Sequence, residues 1–232
     1  LWYQQSDTEG FEDDQSAYGF SFRVPNNEGM RYGLAYKVLE QNYFPAMGFV
    51  NRNNVKDLTA EVGFSRFPLN GIFLSTYSGI DYERIETLDN QLQSQFLAFR
   101  FFEGAFKSGD GISFNSYFSD ELIDYDFEIF DGVMVAVGEY SFANHCVGFN
   151  TASYRSISLG LNFCQGDFYD GSIINPGINL DWRPNKHLKF SLDYEESDID
   201  LSEGNFITKL ASLSADIVFS STFFLENVVQ YD

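Results

Sequence analysis

From Ile207 to Phe219 every second residue is apolar or long-stemmed (Ile207, Lys209, Ala211, Leu213, Ala215, Ile217, Phe219), with Thr208, Ser212, Ser214 and Asp216 between them. A period of two is that of a β-strand with one greasy and one wet face. Ser220–Thr222 predicts a turn, and Phe223, Leu225, Val229 and Tyr231 restart the alternation, so the last stretch reads as a long hairpin. The pattern recurs upstream in Tyr18–Val24, Met30–Val38, Leu58–Phe64, Ile72–Arg84, Leu97–Phe101, Ile112–Phe118, Val133–Gly148, Ser153–Gln165, Ile174–Trp182 and Leu188–Tyr194. That makes about twelve strands and no stretch of helical period.

The connections alternate in length. Pro25–Gly29, Pro68–Gly71, Ser108–Gly111, Asn150–Ser153, Pro184–Lys186 and Ser220–Thr222 are short, and the stretches between them (Leu39–Asn54, Glu86–Asn90, Asp120–Gly132, Gln165–Gly171, Glu195–Asn205) are longer. A soluble sandwich has no reason for such regularity, whereas an outer-membrane barrel has tight periplasmic turns on one rim and longer extracellular loops on the other. Acidic residues gather in the leading segment and the long connections, at Asp7, Glu9, Glu12–Asp14, Asp120–Asp131 and Glu195–Glu203. Tyr36, Tyr77, Tyr82, Trp182, Tyr194 and Tyr231, near strand ends, suit aromatic girdles. Strands of about ten to fourteen residues are long for a soluble sheet, where about five or six is usual, and fit a tilted membrane strand. The expected fold is all-β: an antiparallel up-and-down transmembrane β-barrel, one region over residues 1–232, with Lys37, Asp57, Glu61, Asp193 and Asp216 facing its lumen. If the short turns are periplasmic, the first strand runs inward and the last outward. Complete bacterial barrels normally begin and end in the periplasm, so the expectation is a larger barrel with strands missing here at both ends.

Composition narrows the partners. The chain has 232 residues, 26 Phe, 14 Tyr and a formal charge of −20. It lacks the basic footprint that nucleic acid requires, so none is expected; a soluble partner would be a sugar, a cation or a basic protein. No run of about eighteen apolar residues exists, which excludes a transmembrane helix but not a barrel. Cys146 and Cys164 are the only cysteines. With a turn at Asn150–Ser153, Cys146 faces Ile157 or Ser158, so two unbridged thiols are expected.

Candidate chemistry is sparse. His187 follows a Pro-Asn-Lys turn and His145 sits beside Cys146 in a strand, with no nucleophile elbow and no recognised zinc spacing nearby. Asp198, Asp200 and Glu203 offer oxygen ligands at calcium-like intervals without the full loop signature, and Asp124, Asp126 and Glu128 do the same. A solvated acidic loop is the simpler reading of each, so no cofactor is expected and calcium is the alternative. No carboxylate pair stands out for glycoside hydrolysis.

The segment Phe44-Pro45-Ala46-Met47-Gly48-Phe49-Val50-Asn51-Arg52 resembles a signature of uncharacterised bacterial outer-membrane barrels, in which a barrel domain of unknown function follows a carbohydrate-binding family-nine-like domain. Gly138-Glu139-Tyr140, the turn around Gly166, Asp167, Asp170 and Gly171, the run Trp182-Arg183-Pro184-Asn185-Lys186-His187-Leu188 and the closing Val229-Gln230-Tyr231 add to the likeness. The resemblance implies a Gram-negative outer-membrane location, lipid as the surrounding partner, and a glycan-binding domain or another chain as associate. The sugar-binding domain has no counterpart here, so carbohydrate binding passes to no residue present.

Three functions follow as expectations. The first is a non-enzymatic segment of an outer-membrane barrel acting as pore, transporter or membrane platform for glycan handling. The second is a soluble all-β carbohydrate-binding module, and the third a glycan-cleaving enzyme.

Overall fold

The computed structural model describes every residue except Met47, within the Phe44–Arg52 signature, and Ser221, within the last turn; both lie outside the described residues. The chain is all-β. Its first seven strands are β1 (Trp2–Gln5), β2 (Ser16–Val24), β3 (Gly29–Leu39), β4 (Val55–Arg66), β5 (Phe73–Thr87), β6 (Leu92–Phe106) and β7 (Gly111–Ile123). A small hairpin follows, β8 (Phe127–Phe130) and β9 (Val133–Val135). Then come β10 (Gly138–Asn150), β11 (Ile157–Phe168), β12 (Gly171–Asn185), β13 (Leu188–Leu201), β14 (Gly204–Val218) and β15 (Phe224–Tyr231).

Thirteen strands form one sheet in the order β1-β2-β3-β4-β5-β6-β7-β10-β11-β12-β13-β14-β15, and every neighbouring pair is antiparallel. All twelve expected strands are present in this up-and-down meander. β1 and β15 are its two edges and do not pair with each other. β1 covers only Ser16–Gly19 of β2, so Phe20–Val24 also lacks an outer neighbour.

Four details differ from the sequence expectation. The stretches Gln165–Gly171 and Glu195–Asn205 are not loops: β11 and β12 meet at Tyr169–Asp170, and β13 and β14 at Ser202–Glu203. Charge does not end a strand whose carboxylates lie in water, and Ile199 and Leu201 continue the alternation past them. The expected alternation of connection length does not hold: six residues (67–72) join β4 to β5 and four (88–91) join β5 to β6, and after β2 the long connections are 40–54 and 124–137. The acidic connector after Asp120 is strand up to Ile123 and then the β8–β9 hairpin, and Val133–Gly148 divides between two sheets. β1 has no clear alternation and was not expected.

The fourth difference is the cysteines, which are joined. The turn between β10 and β11 spans residues 151–156, wider than the expected Asn150–Ser153, so Asn150 pairs with Gly160 and Cys146 falls opposite Cys164. Their Cα atoms are 4.1 Å apart and the two sulfurs are bonded. The wider turn is held by Thr151, whose backbone N–H donates to the Leu159 carbonyl (2.8 Å) and whose hydroxyl accepts from the Leu159 N–H (2.8 Å).

Two glycines mark close backbone approach. A Cβ at Gly166 would lie 2.0 Å from the Ala143 carbonyl oxygen, and one at Gly171 would lie 1.8 Å from that of Asp200. Gly171→Ala should therefore lower unfolding free energy by about 1–3 kcal/mol in a denaturant titration, the usual cost of overpacking. Iodoacetamide should label neither cysteine before reduction and both after it, as read by intact mass; labelling without reductant would contradict the bridge.

Candidate functional site

The register divides the sheet into an apolar and a polar face. On the apolar face one cross-strand row runs Phe22, Leu34, Ala60, Tyr82, Leu97, Phe118, Ala143 from β2 to β10. A second runs Ile112, Phe149, Leu161, Ile178, Tyr194, Ala211, Tyr231 from β7 to β15. Neither row contains a charged residue. Nothing packs on this face: Phe22, Leu34, Phe149, Leu161 and Ile178 are all exposed, and among the described residues no large side chain is fully buried. The accessible surface is 15138 Å², whereas a compact monomer of 26.5 kDa would expose about 10,700 Å². An apolar groove of about 610 Å³ lies on the face between Phe114, Val147, Phe163 and Pro176.

A line of polar side chains bounds the apolar face. Lys56 approaches Glu86 (4.0 Å), Arg84 pairs with Glu86 (2.6 Å) and donates to Gln95 (2.8 Å), Gln95 donates to Asp120 (3.2 Å), and Ser141 donates to Asp120 (2.6 Å). The chain crosses β4, β5, β6, β7 and β10 on the side of the longer connections. Tyr82 lies at this boundary, its hydroxyl donating to Gln95 (3.1 Å), and further along the Tyr194 hydroxyl meets Glu196. Two polar groups inside the apolar area bond within the protein, whereas Gln165 and Asn227 on the same face are exposed. Ser78 donates to the Phe101 carbonyl (2.7 Å), and the Ser116 hydroxyl lies 2.7 Å from His145 Nδ1.

The polar face carries Lys37, Asp57, Glu61, Asp193 and Asp216, as expected from the alternation. Arg23 pairs with Glu61 (2.7 Å), Lys37 with Asp57 (2.7 Å), Arg100 with Asp81 (2.7 Å) and Glu103 (3.2 Å), and Asp181 with Arg183 (3.0 Å) and Lys189 (3.3 Å). Tyr77 is also here, under Arg31, whose guanidinium sits 4.2 Å from the ring centroid and donates to the hydroxyl (2.7 Å). It belongs to no girdle.

At the rim of the longer connections the polar face turns apolar and is covered. The β8–β9 hairpin lays Val133 and Val135 on Ile199, Leu201 and Phe206, with Phe127, Ile129, Tyr140, Phe168, Tyr169 and Ile173 around them. Phe130 stacks on Phe206 at 4.4 Å. Glu128 and Asp126 hold this hairpin by accepting from the Gly132 N–H (2.8 Å) and the Val137 N–H (2.7 Å), so both carboxylates serve backbone donors there. Tyr43 and Phe44 make a second cover with the leading segment: the Phe44 N–H donates to Ser6 Oγ (3.1 Å), and buried Tyr43 donates to Gln4 (2.6 Å).

The other residues of these sequence motifs have the following contacts. Pro45 accepts from the Gly48 N–H (3.3 Å), Phe49 is solvent-exposed, and Arg52 donates to Ser94 (3.0 Å). Asp167 accepts from the Ala143 N–H (3.0 Å), and Asp170 from Ser202. Arg183 also donates to the Ser153 carbonyl (2.6 Å), Pro184 lies at a bulge between Trp182 and Asn185, and His187 Nδ1 meets the Val218 carbonyl (2.8 Å). Gln230 and Tyr231 pair with Ser212 and Ala211. Asp198 and Asp200 stand opposite Ile207 and Asn205, and Glu203 lies in the following turn. Among the described residues no group of three or more His, Cys, Asp or Glu side chains is placed to share a metal ion.

The short turns are tied to one another. Asp110 accepts from the Ser108 hydroxyl (2.7 Å) and the Ala152 N–H (2.9 Å) and pairs with Arg155 (2.7 Å) in the neighbouring turn. The Arg155 hydrogen bonds, helped by Ser108, lower its carboxyl from 3.8 to about 2. A folded pKa below the unfolded value means that this link is complete above about pH 4 and is lost as pH falls through about 2. The Ala152 amide resonance should titrate with a midpoint of about 2; a midpoint at the ordinary carboxylate value would contradict the link. No protein-family model matches the chain, and neither do curated proteins or solved structures.

Proposed function

We propose that this chain forms part of the wall of a bacterial outer-membrane β-barrel, apolar face to lipid and polar face to an aqueous lumen, serving as a pore, transporter or platform for glycan handling. The observation that carries the reading is the uncovered apolar face bounded by the line from Lys56 to Ser141. A soluble sandwich would press a second sheet on that face, and lipid needs none. Hydrocarbon requires that every backbone and side-chain polar group find an internal partner, and the bonds of Ser78, Ser116 and His145 on this face suit that requirement. Tyr82 and Tyr194 at the boundary match the amphipathic belt at headgroup level. In lipid the free edges at β15 and at Phe20–Val24 of β2 need hydrogen-bonding neighbours. The resemblance of Phe44–Arg52 to barrels of unknown function agrees with this reading and supplies no cargo.

Nitroxide labels at Leu161→Cys and Asn162→Cys, in protein reconstituted into liposomes, test the orientation. The label at 161 should relax with dissolved oxygen, and its neighbour at 162 with a water-soluble nickel chelate. Equal access of the chelate to both positions would sink the membrane reading.

A further inference from the structure

The polar face of β10–β13 carries a concavity of about 440 Å³, within the range of small-molecule sites. Two cross-strand rows build its floor. The first reads Gly148, Asn162, Gly177, Glu195, and the second Asn150, Gly160, Asn179, Asp193. Glycine and asparagine alternate along both rows and along the strands, a checkerboard in which each amide stands beside a space that a side chain would fill.

Chain geometry does not ask for two of these glycines. A Cβ at Gly160 would meet nothing nearer than Asn179 Cβ at 3.5 Å, and one at Gly177 nothing nearer than Asn162 Cβ at 3.8 Å; both are ordinary contacts, and neither residue has positive φ. Gly166 and Gly171, by contrast, are fixed by backbone oxygens. Interior strand glycines weaken a sheet and mark places where something approaches the backbone closely. Here the free volume lies over the amides.

The wall also selects by charge. Its cavity-lining residues include no Lys, Arg or His. Asp193 accepts from Asn179 and has no cationic partner among the described residues, and neither has Glu195; Asp216, Glu83 and Glu226 on this face are likewise unpaired, whereas Asp57, Glu61, Asp81 and Asp181 meet cations. The aromatic residues lining the concavity, Phe149 and Tyr194, belong to the apolar-face row, so neither ring offers a sugar a stacking surface on the polar side. We propose that the concavity binds a small solute bearing a protonated amine, the ammonium lying between Asp193 and Glu195 and its hydroxyl or carbonyl groups meeting the Asn162 and Asn179 amides. This site requires only that the polar face meet water, whether or not the apolar face meets lipid.

Calorimetric titration of the detergent-solubilised chain at about pH 6, where amines are protonated, tests it with D-glucosamine, D-glucose and D-gluconate, one carbon frame in three charge states. Glucosamine should bind, glucose at least about tenfold more weakly and gluconate not detectably, since a hydrogen bond to a charged group is worth about a decade. Asp193→Asn with Glu195→Gln should erase the difference between glucosamine and glucose. Gly160→Ala with Gly177→Ala should fill the space and weaken glucosamine about tenfold or more, with an unchanged or higher unfolding midpoint. Equal binding of glucose and glucosamine by the parent chain, no heat from any probe, or undiminished glucosamine binding by the double alanine variant would each overturn the proposal. Failure of the spin-label test with glucosamine binding intact would count against the lipid orientation alone.

Discussion

A single-layer sheet has no interior, and this constraint governs the rest of the molecule. Backbone hydrogen bonds between thirteen strands supply cohesion, but they cannot remove an apolar face from water, because both faces of one layer are surface. Folding alone leaves Phe22, Leu34, Leu161 and Ile178 exposed. The hydrophobic term that stabilises an ordinary domain, about 25 cal/mol per Å², is thus largely unrealised on this face until something apolar covers it. The excess of surface over that of a compact monomer measures how much cover is wanted.

The faces exchange character along the strands. Over most of their length β12–β14 are apolar on one side, with Ile178, Leu192 and Leu213, and polar on the other, with Asn179, Ser191 and Ser212. Beyond Glu196 and Lys209 the outer positions become Asp198 and Asp200, while the inner ones become Ile199, Leu201 and Phe206. At that height the protein does bury a core, under the β8–β9 hairpin. A strand that merely crossed lipid would end at the boundary. β12–β14 continue past Glu196 and Lys209 and build a small covered core from the same alternation turned over.

Most of the fold was legible because period two is a local signal and each strand carries several turns of it. What the sequence concealed was register. The pairing of Cys146 with Cys164 depends on a turn at residues 151–156 whose width is set by Thr151 bonding Leu159, and no pattern of apolar residues reports a turn's width. The β8–β9 cover was hidden for a related reason: Asp124, Asp126 and Glu128 read as a solvated loop, yet two of them bond backbone N–H groups of the hairpin they seemed to exclude. The checkerboard was missed because its residues, Asn and Gly, look like ordinary wet-face positions until register sets strand beside strand.

Charge can be read only after pairing is known. A formal charge of −20 suggests a uniformly acidic surface, but the polar face is not uniform. On β2–β6 its carboxylates Glu61, Asp57 and Asp81 meet Arg23, Lys37 and Arg100, so that wall is nearly neutral in detail and braced across strands. On β13, Asp193 and Glu195 stand without cations beside uncharged amides. In a confined aqueous space bounded by low-dielectric walls, unneutralised charge dominates the field and draws counter-ions toward it. The ion-paired stretch is braced across strands while Asp193 and Glu195 keep their charge unpaired, a difference along one sheet that neither composition nor net charge reveals.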